Sequence, residues 1–237
     1  MDMFPTATTA DIADRAPNVA ILPIGSFEQH GPFLPLATDS IVAAAIAGAV
    51  AARYNVLLLP PVTISCSHEH AAWPGTVSIS HHTLSAIIDD IRTSLTGSGI
   101  TRLVIVNGHG GNYVLSNIVQ TANAATPRSM SLFPTRTDWD TARTAAHLET
   151  DAHHDMHAGE LEVSVLLHVR PQLVGPGYRD GDHAADERSM LLVDGMRAYT
   201  ETGVIGKPSA GTPEKGEQLL ASLVASFQQH LAHLTSQ

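Results

Sequence analysis

Short apolar runs that stop at glycine or proline, spaced by longer stretches able to coil, are the feature that most narrows the fold of this chain. Val19–Ile24 stops at Gly25 and Val56–Leu59 stops at Pro60-Pro61. Each reads as a strand buried on both faces. Between them Asp39 is placed to cap an Ala-rich helix over Ser40–Tyr54, whose small residues let it sit close on a sheet. His82–Leu95 reads as the next helix, closed by Gly97 and Gly99, and Leu103–Val106 as a third buried strand. Asn112–Ala125 is then a helix, Ser129–Phe133 a fourth strand, Gly159–His168 a helix, and Pro213–Leu234 one amphipathic helix. Strand, loop and helix in repeated succession predict an α/β fold with a mostly parallel sheet and right-handed crossovers. A length of 237 residues fits one domain over 1–237 with a sizeable single core.

In such sheets, sites form beyond the carboxyl ends of the strands. That rule selects the loops leaving the first and third strands, Gly25–Asp39 and Asn107–Asn112. In the first, Glu28 and His30 lie two residues apart and point to the same side of an extended segment, and Asp39 returns as the loop closes. Borderline and hard donors together suit Zn, Mn or Fe in a catalytic site, although loop acids, caps and a surface imidazole would use the same residue types. In the second loop His109 stands among Gly108, Gly110 and Gly111, which let backbone approach a ligand closely. A phosphate loop would carry a lysine that is missing here, so metal ligation is the better reading. The third cluster, His153 to Glu162, opens a helix; acids there can serve the helix dipole, which covers one of Glu160 and Glu162 but not the histidines. His153 and His154 also fit ordinary exposed residues.

Charge and composition exclude other classes. Thirteen Lys and Arg against 23 Asp and Glu leave a net charge of -10, with no cationic cluster to neutralise phosphates, so no nucleic-acid partner is expected. The longest apolar run, Ile41–Ala52, has 12 residues, too few to cross a bilayer. The N-terminus has Asp2, Asp11 and Asp14 and no basic or apolar leader pattern, and Cys66 is the only cysteine. No membrane association and a cytoplasmic address are expected.

Four motifs in order carry a resemblance: Glu28-Gln29-His30-Gly31-Pro32 with Leu34-Pro35-Leu36 and Asp39, then Trp73-Pro74-Gly75-Thr76, Asn107-Gly108-His109-Gly110-Gly111-Asn112, and His157-Ala158-Gly159-Glu160-Leu161-Glu162. Across roughly Val19 to Val174 the chain resembles the creatininase (creatinine amidohydrolase) family. The resemblance implies a three-layer α/β/α fold and a dinuclear centre of two divalent cations per chain. Asp39 would bridge the ions, with Glu28 and His109 on one and His30 on the other. Glu162 would be the last ligand. Glu160 is the competing candidate and is otherwise grouped with His157 among the catalytic residues. His157 resembles the family histidine that passes a proton to the departing nitrogen. The resemblance also implies a homo-oligomer, with Gly203–Gly211 suited to a protomer contact or a pocket edge.

Glycines 110 and 111 replace the bulky and acidic residues of creatininase itself, and Trp73 replaces a phenylalanine. These departures draw the chain toward relatives such as mycofactocin-system peptidases and formamide hydrolases. The expected activity is metal-assisted water attack on a C–N bond of a small amide or formamide. Cleavage of a short peptide and non-catalytic metal or small-molecule binding on the same fold are the alternatives.

Overall fold

The computed structural model of the protein describes residues 4–236. Four strands form one sheet in the order β2-β1-β3-β4, and every pairing is parallel: β1 is Val19–Ile24, β2 Leu57–Leu58, β3 Arg102–Asn107 and β4 Met130–Phe133. Six consecutive residues of β1 pair with β3, from Val19 opposite Arg102 to Ile24 opposite Asn107.

Side chains alternate across a strand, and β1 shows what that demands of its surroundings. Val19 and Ile21 join the apolar cluster formed with α2 (Thr38–Arg53), α5 (Arg136–Ala145), α6 (Glu160–Val169) and α8 (Pro213–Thr235). Ala20, Leu22 and Ile24 join a second cluster with α3 (His81–Gly97) and α4 (Val114–Ala125). Helices therefore cover both faces, giving the expected three-layer α/β/α arrangement. α1 (Thr9–Arg15) precedes the sheet, and the single turn α7 (Leu191–Asp194) lies in the long connection to α8.

Three expectations need correction. The second strand shrinks to Leu57–Leu58, half-buried, because it is the sheet's edge and pairs only with β1. Asp39 is not the cap of α2. The helix already begins at Thr38, the cap position is Ala37 without a side-chain bond, and the Asp39 carboxylate turns to histidines instead. Asn112 precedes α4 rather than starting it: its Oδ1 accepts from Cys66 N at 3.2 Å, tying two loops together at the carboxyl edge. No helix among the described residues is long and apolar enough to cross a membrane.

Candidate metal centre

Four segments deliver ionisable side chains to one volume beyond the carboxyl ends of the strands. The loop after β1 is held by Glu28 N donating to Leu36 O at 3.0 Å, and it carries Glu28 and His30, both 0% exposed. The first turn of α2 supplies Asp39, the loop after β3 supplies His109, and the first turn of α6 supplies Glu162. Gly108 makes the close approach possible, because a Cβ there would overlap the Asp39 carbonyl.

Asp39 sits at the centre of the group. Its Oδ1 is 3.0 Å from His30 Nε2 and its Oδ2 3.1 Å from His109 Nδ1. Glu28 Oε1 lies 3.2 Å from His109 Nδ1, and Glu162 Oε1 lies 3.8 Å from His30 Nε2. Two sets with the spacing of a metal site follow, Glu28 with Asp39 and His109, and His30 with Asp39 and Glu162; a third joins Glu28, His30 and His157. The far ring nitrogens are already committed: His109 Nε2 donates to Cys66 O at 2.9 Å and His30 Nδ1 to Glu28 O at 3.0 Å. Each imidazole thus presents its other nitrogen to the carboxylates, the orientation that a ligating histidine takes from such outer partners.

Glu28 Oε1 and Oε2 and Asp39 Oδ2 are buried and accept no hydrogen bond. A buried carboxylate oxygen without a donor is costly, and divalent cations are the partners that the surrounding nitrogens and oxygens fit.

The electrostatics follow from the crowding. Burial, and then the Asp39 charge, push the Glu28 carboxyl up to about 7. Burial pulls the imidazoles of His30 and His109 down, but the carboxylates against them outweigh it and hold both well above the ordinary value. Burial likewise opposes ionisation of Asp39, yet His30 and His109 keep it low. His157 goes the other way, to about 4, through burial and the His30 charge. Its Nε2 donates to Gln29 O at 2.6 Å, and its Nδ1 faces Glu28 Oε1 at 3.8 Å.

Of the residues expected at the site, Glu28, His30, Asp39, His109, His157 and Glu162 are brought together. Glu160 is not. Its buried carboxylate turns away and accepts from Glu149 N, Thr150 N, Thr150 Oγ1 and Lys215 Nζ, the last at 2.6 Å. The N-terminus of α6 is served by Asp155, whose oxygens accept from Glu160 N and Leu161 N at 2.6 and 3.1 Å. His154 lies outside, exposed and paired with Asp151. Gly203–Gly211 runs within the protomer behind the site, where Ile205 pairs with His157 through the backbone.

Two residues that the sequence reading passed over lie against the cluster. His70 Nε2 is 3.2 Å from Glu28 Oε1, and Glu69 Oε1 is 3.4 Å from His109 Nε2. They lie on the loop that follows β2, so the carboxyl-end rule, applied to the second strand as well as the first and third, points to them. A cleft of about 350 Å³ opens onto His109, His157 and Glu162, walled by Trp139 and Arg143. Another, of about 460 Å³, reaches Glu69 between Tyr113 and Leu192.

Residues 5–231 match the family model described as Creatininase: Creatinine amidohydrolase. The chain is 35% identical over 228 residues to the mycofactocin precursor peptide peptidase of Mycolicibacterium smegmatis, spanning 92% of this chain and 86% of that protein. A solved mutant creatininase of Zn-Zn type superposes with a TM-score of 0.81 at 23% identity, covering 98% of both chains. A creatininase structure with Mn superposes with a TM-score of 0.79 at 23% identity and the same coverage.

Proposed function

This chain belongs to the creatininase family, and from that premise we propose that it is a hydrolase of C–N bonds in which two divalent cations would be held by Glu28, Asp39 and His109 and by His30, Asp39 and Glu162. The observation that carries the reading is the meeting of five metal-ligating side chains around three buried carboxylate oxygens, Glu28 Oε1 and Oε2 and Asp39 Oδ2, that accept no hydrogen bond. Divalent cations held there would supply a water acidic enough to attack at neutral pH and would polarise the substrate carbonyl.

The remaining chemistry belongs to the chain's own residues. His157, with a pKa near 4, is neutral at pH 7, and its Nε2–H is anchored on Gln29 O. Its free Nδ1 takes the proton that the attacking water releases as the new C–O bond forms. The same nitrogen then returns it to the departing amine as the C–N bond breaks. Glu160 contributes by tying the start of α6 to Lys215 and the Glu149–Thr150 turn, which keeps Glu162 in place.

A cleft of about 350 Å³ beside His157 and Glu162 suits a small amide, a formamide or the end of a short peptide. The peptide reading is favoured by the 35% identity to a precursor peptide peptidase. The test is turnover of a formamide, a cyclic amide and a short peptide by chelator-stripped protein before and after Mn or Zn is added. Activity restored by metal on one class identifies the substrate; no turnover of any class by the metal-loaded protein would leave a binding function. Assembly into a homo-oligomer is part of the proposal, and light scattering at the single-chain mass would remove it.

A further inference from the structure

Gln29 stands inside the first motif, between two of the proposed ligands, and while its carbonyl anchors His157 its side chain has no role in the chemistry described above. Its side chain is nonetheless fully committed. Oε1 accepts the Gly31 backbone N–H at 2.9 Å. A backbone N–H can only donate, so that atom is the amide oxygen and the other is the nitrogen. Nε2 donates to the Gly203 carbonyl at 3.1 Å, and its second hydrogen meets His70 Nδ1 at 2.9 Å. Gly203 has φ +93 and sits so close that a Cβ would overlap Gln29 Oε1, so this anchor needs glycine on both steric and conformational grounds.

The logic then passes to the imidazole. Because Gln29 Nε2 donates, His70 Nδ1 must offer its lone pair, and the ring hydrogen of a neutral His70 resides on Nε2. That nitrogen approaches Glu28 Oε1 to 3.2 Å, as close as His109 Nδ1 comes to the same oxygen, in a contact short of hydrogen-bond geometry, and His70 is only 2% exposed. A nitrogen that carries hydrogen cannot ligate a metal, so His70 stands against the cluster without joining it.

We propose that Gln29 and His70 form a positioning pair for Glu28, in which Gly31 and Gly203 orient the glutamine amide, the amide selects the Nε2–H form of His70, and His70 holds the Glu28 carboxylate toward His109. The proposal rests on the metal reading above and deepens it. It assigns a purpose to the glutamine of the first motif, to the histidine of the loop after β2 and to the glycine at 203.

The experiment uses intact protein labelled with 15N in its histidines and loaded with zinc, which is diamagnetic. The His70 ring signals are identified by their loss in His70→Asn, and two-bond proton–nitrogen correlations report which nitrogen carries the hydrogen. The expected result is the Nε2–H form in the wild type and its loss in Gln29→Glu, where the amide donor becomes an acceptor. Zinc affinity, read by competition with a chromophoric chelator, is expected to fall about 10 to 100-fold in His70→Ala and to recover in part in His70→Gln, whose amide N–H reaches the Nε2 position. An Nδ1–H tautomer in the wild type, or equal zinc affinity in wild type and His70→Ala, overturns the proposal. Failure of the metal reading is separable: wild-type protein that takes up no zinc removes that reading and this role together, whereas zinc uptake that is indifferent to His70 removes the pairing alone. Should Gln29→Glu fail to fold, the wild-type tautomer and the His70 variants still decide.

Discussion

Glu28 and Glu160 are both fully buried glutamates at carboxyl-edge positions, and their surroundings are opposite. Four groups donate to Glu160: two backbone N–H groups, the Thr150 hydroxyl and the Lys215 ammonium. Glu28 accepts none and is ringed by His70, His109 and His157. A glutamate supplied with donors stabilises a fold, whereas one deprived of them needs a cation or a proton. The residue type is the same in both places, and the inventory of donors separates them.

The largest effect that sharpens this contrast is expected at the carboxylate shared by the two ligand sets. Asp39→Asn should lose bound metal and lower turnover by at least about a thousand-fold, since the cations contribute several kcal/mol at the transition state. Elemental analysis beside a rate assay checks it, and a variant with full metal content and full activity breaks the division. His157 lies in the chain segment of Glu160 but in the chemical surroundings of Glu28. His157→Ala should cost about a hundred to ten thousand-fold in turnover with metal content kept, and substrates with good leaving groups should lose less. Depleted metal in that variant would move His157 into the ligand set with Glu28 and His30.

Opposite signs are expected from one substitution made at both glutamates. Glu160→Gln removes the buried carboxylate beside Lys215, leaving it the Ala210 carbonyl and the exposed Glu149, and should destabilise the protein by about 3 kcal/mol while metal stays bound. Glu28→Gln removes a buried charge without donors and should stabilise the metal-free protein by about 1 to 3 kcal/mol at pH 8, at the expense of metal affinity. Denaturant unfolding of stripped and loaded protein measures both. The smallest expected signal is protonic. Glu28 titrates near 7, against an ordinary value of 4.5, so in the metal-free protein it binds protons more readily folded than unfolded. Its contribution is lost as pH rises from about 4.5 to 7. Metal uptake must expel that proton, together with those on His30 Nε2 and His109 Nδ1. Calorimetry in buffers of different ionisation enthalpy should therefore show proton release that grows as pH falls from 8 to about 6.

Much of this architecture was legible in the sequence because it rests on local chemistry. β1 is found at its read boundaries, Val19–Ile24, since an apolar run ended by Gly25 has few alternatives. The motif residues Glu28, His30, Asp39 and His109 were legible as a group because each lies just beyond a strand or at the start of the helix that follows one. α5 was missed although Thr135 and Asp138 form a capping box, because the helix after them has little apolar character for a periodic reading to detect. His70 was missed for a different reason. Its relevance depends on Gln29, 41 residues away, and on which amide atom faces it. Family pattern ranked Glu162 ahead of Glu160, and Glu162 does face His30, but only the distant Lys215 explains why Glu160 turns away. Side-chain direction of that kind is set by tertiary contacts that no local window contains.

The span of the cluster along the chain bears on how the protein would acquire the proposed metal. Glu28 and Glu162 are separated by 134 positions (162 − 28), and α6 is held in place by packing on α8 near the C-terminus. A growing polypeptide would display Glu28, His30 and Asp39 long before His109 or Glu162 could join them, and such a partial set grips any passing cation weakly. Loop closure over most of the molecule must come first. On the proposed reading, tight metal capture would be a late event in maturation, and the ion would serve as a latch that registers a completed fold.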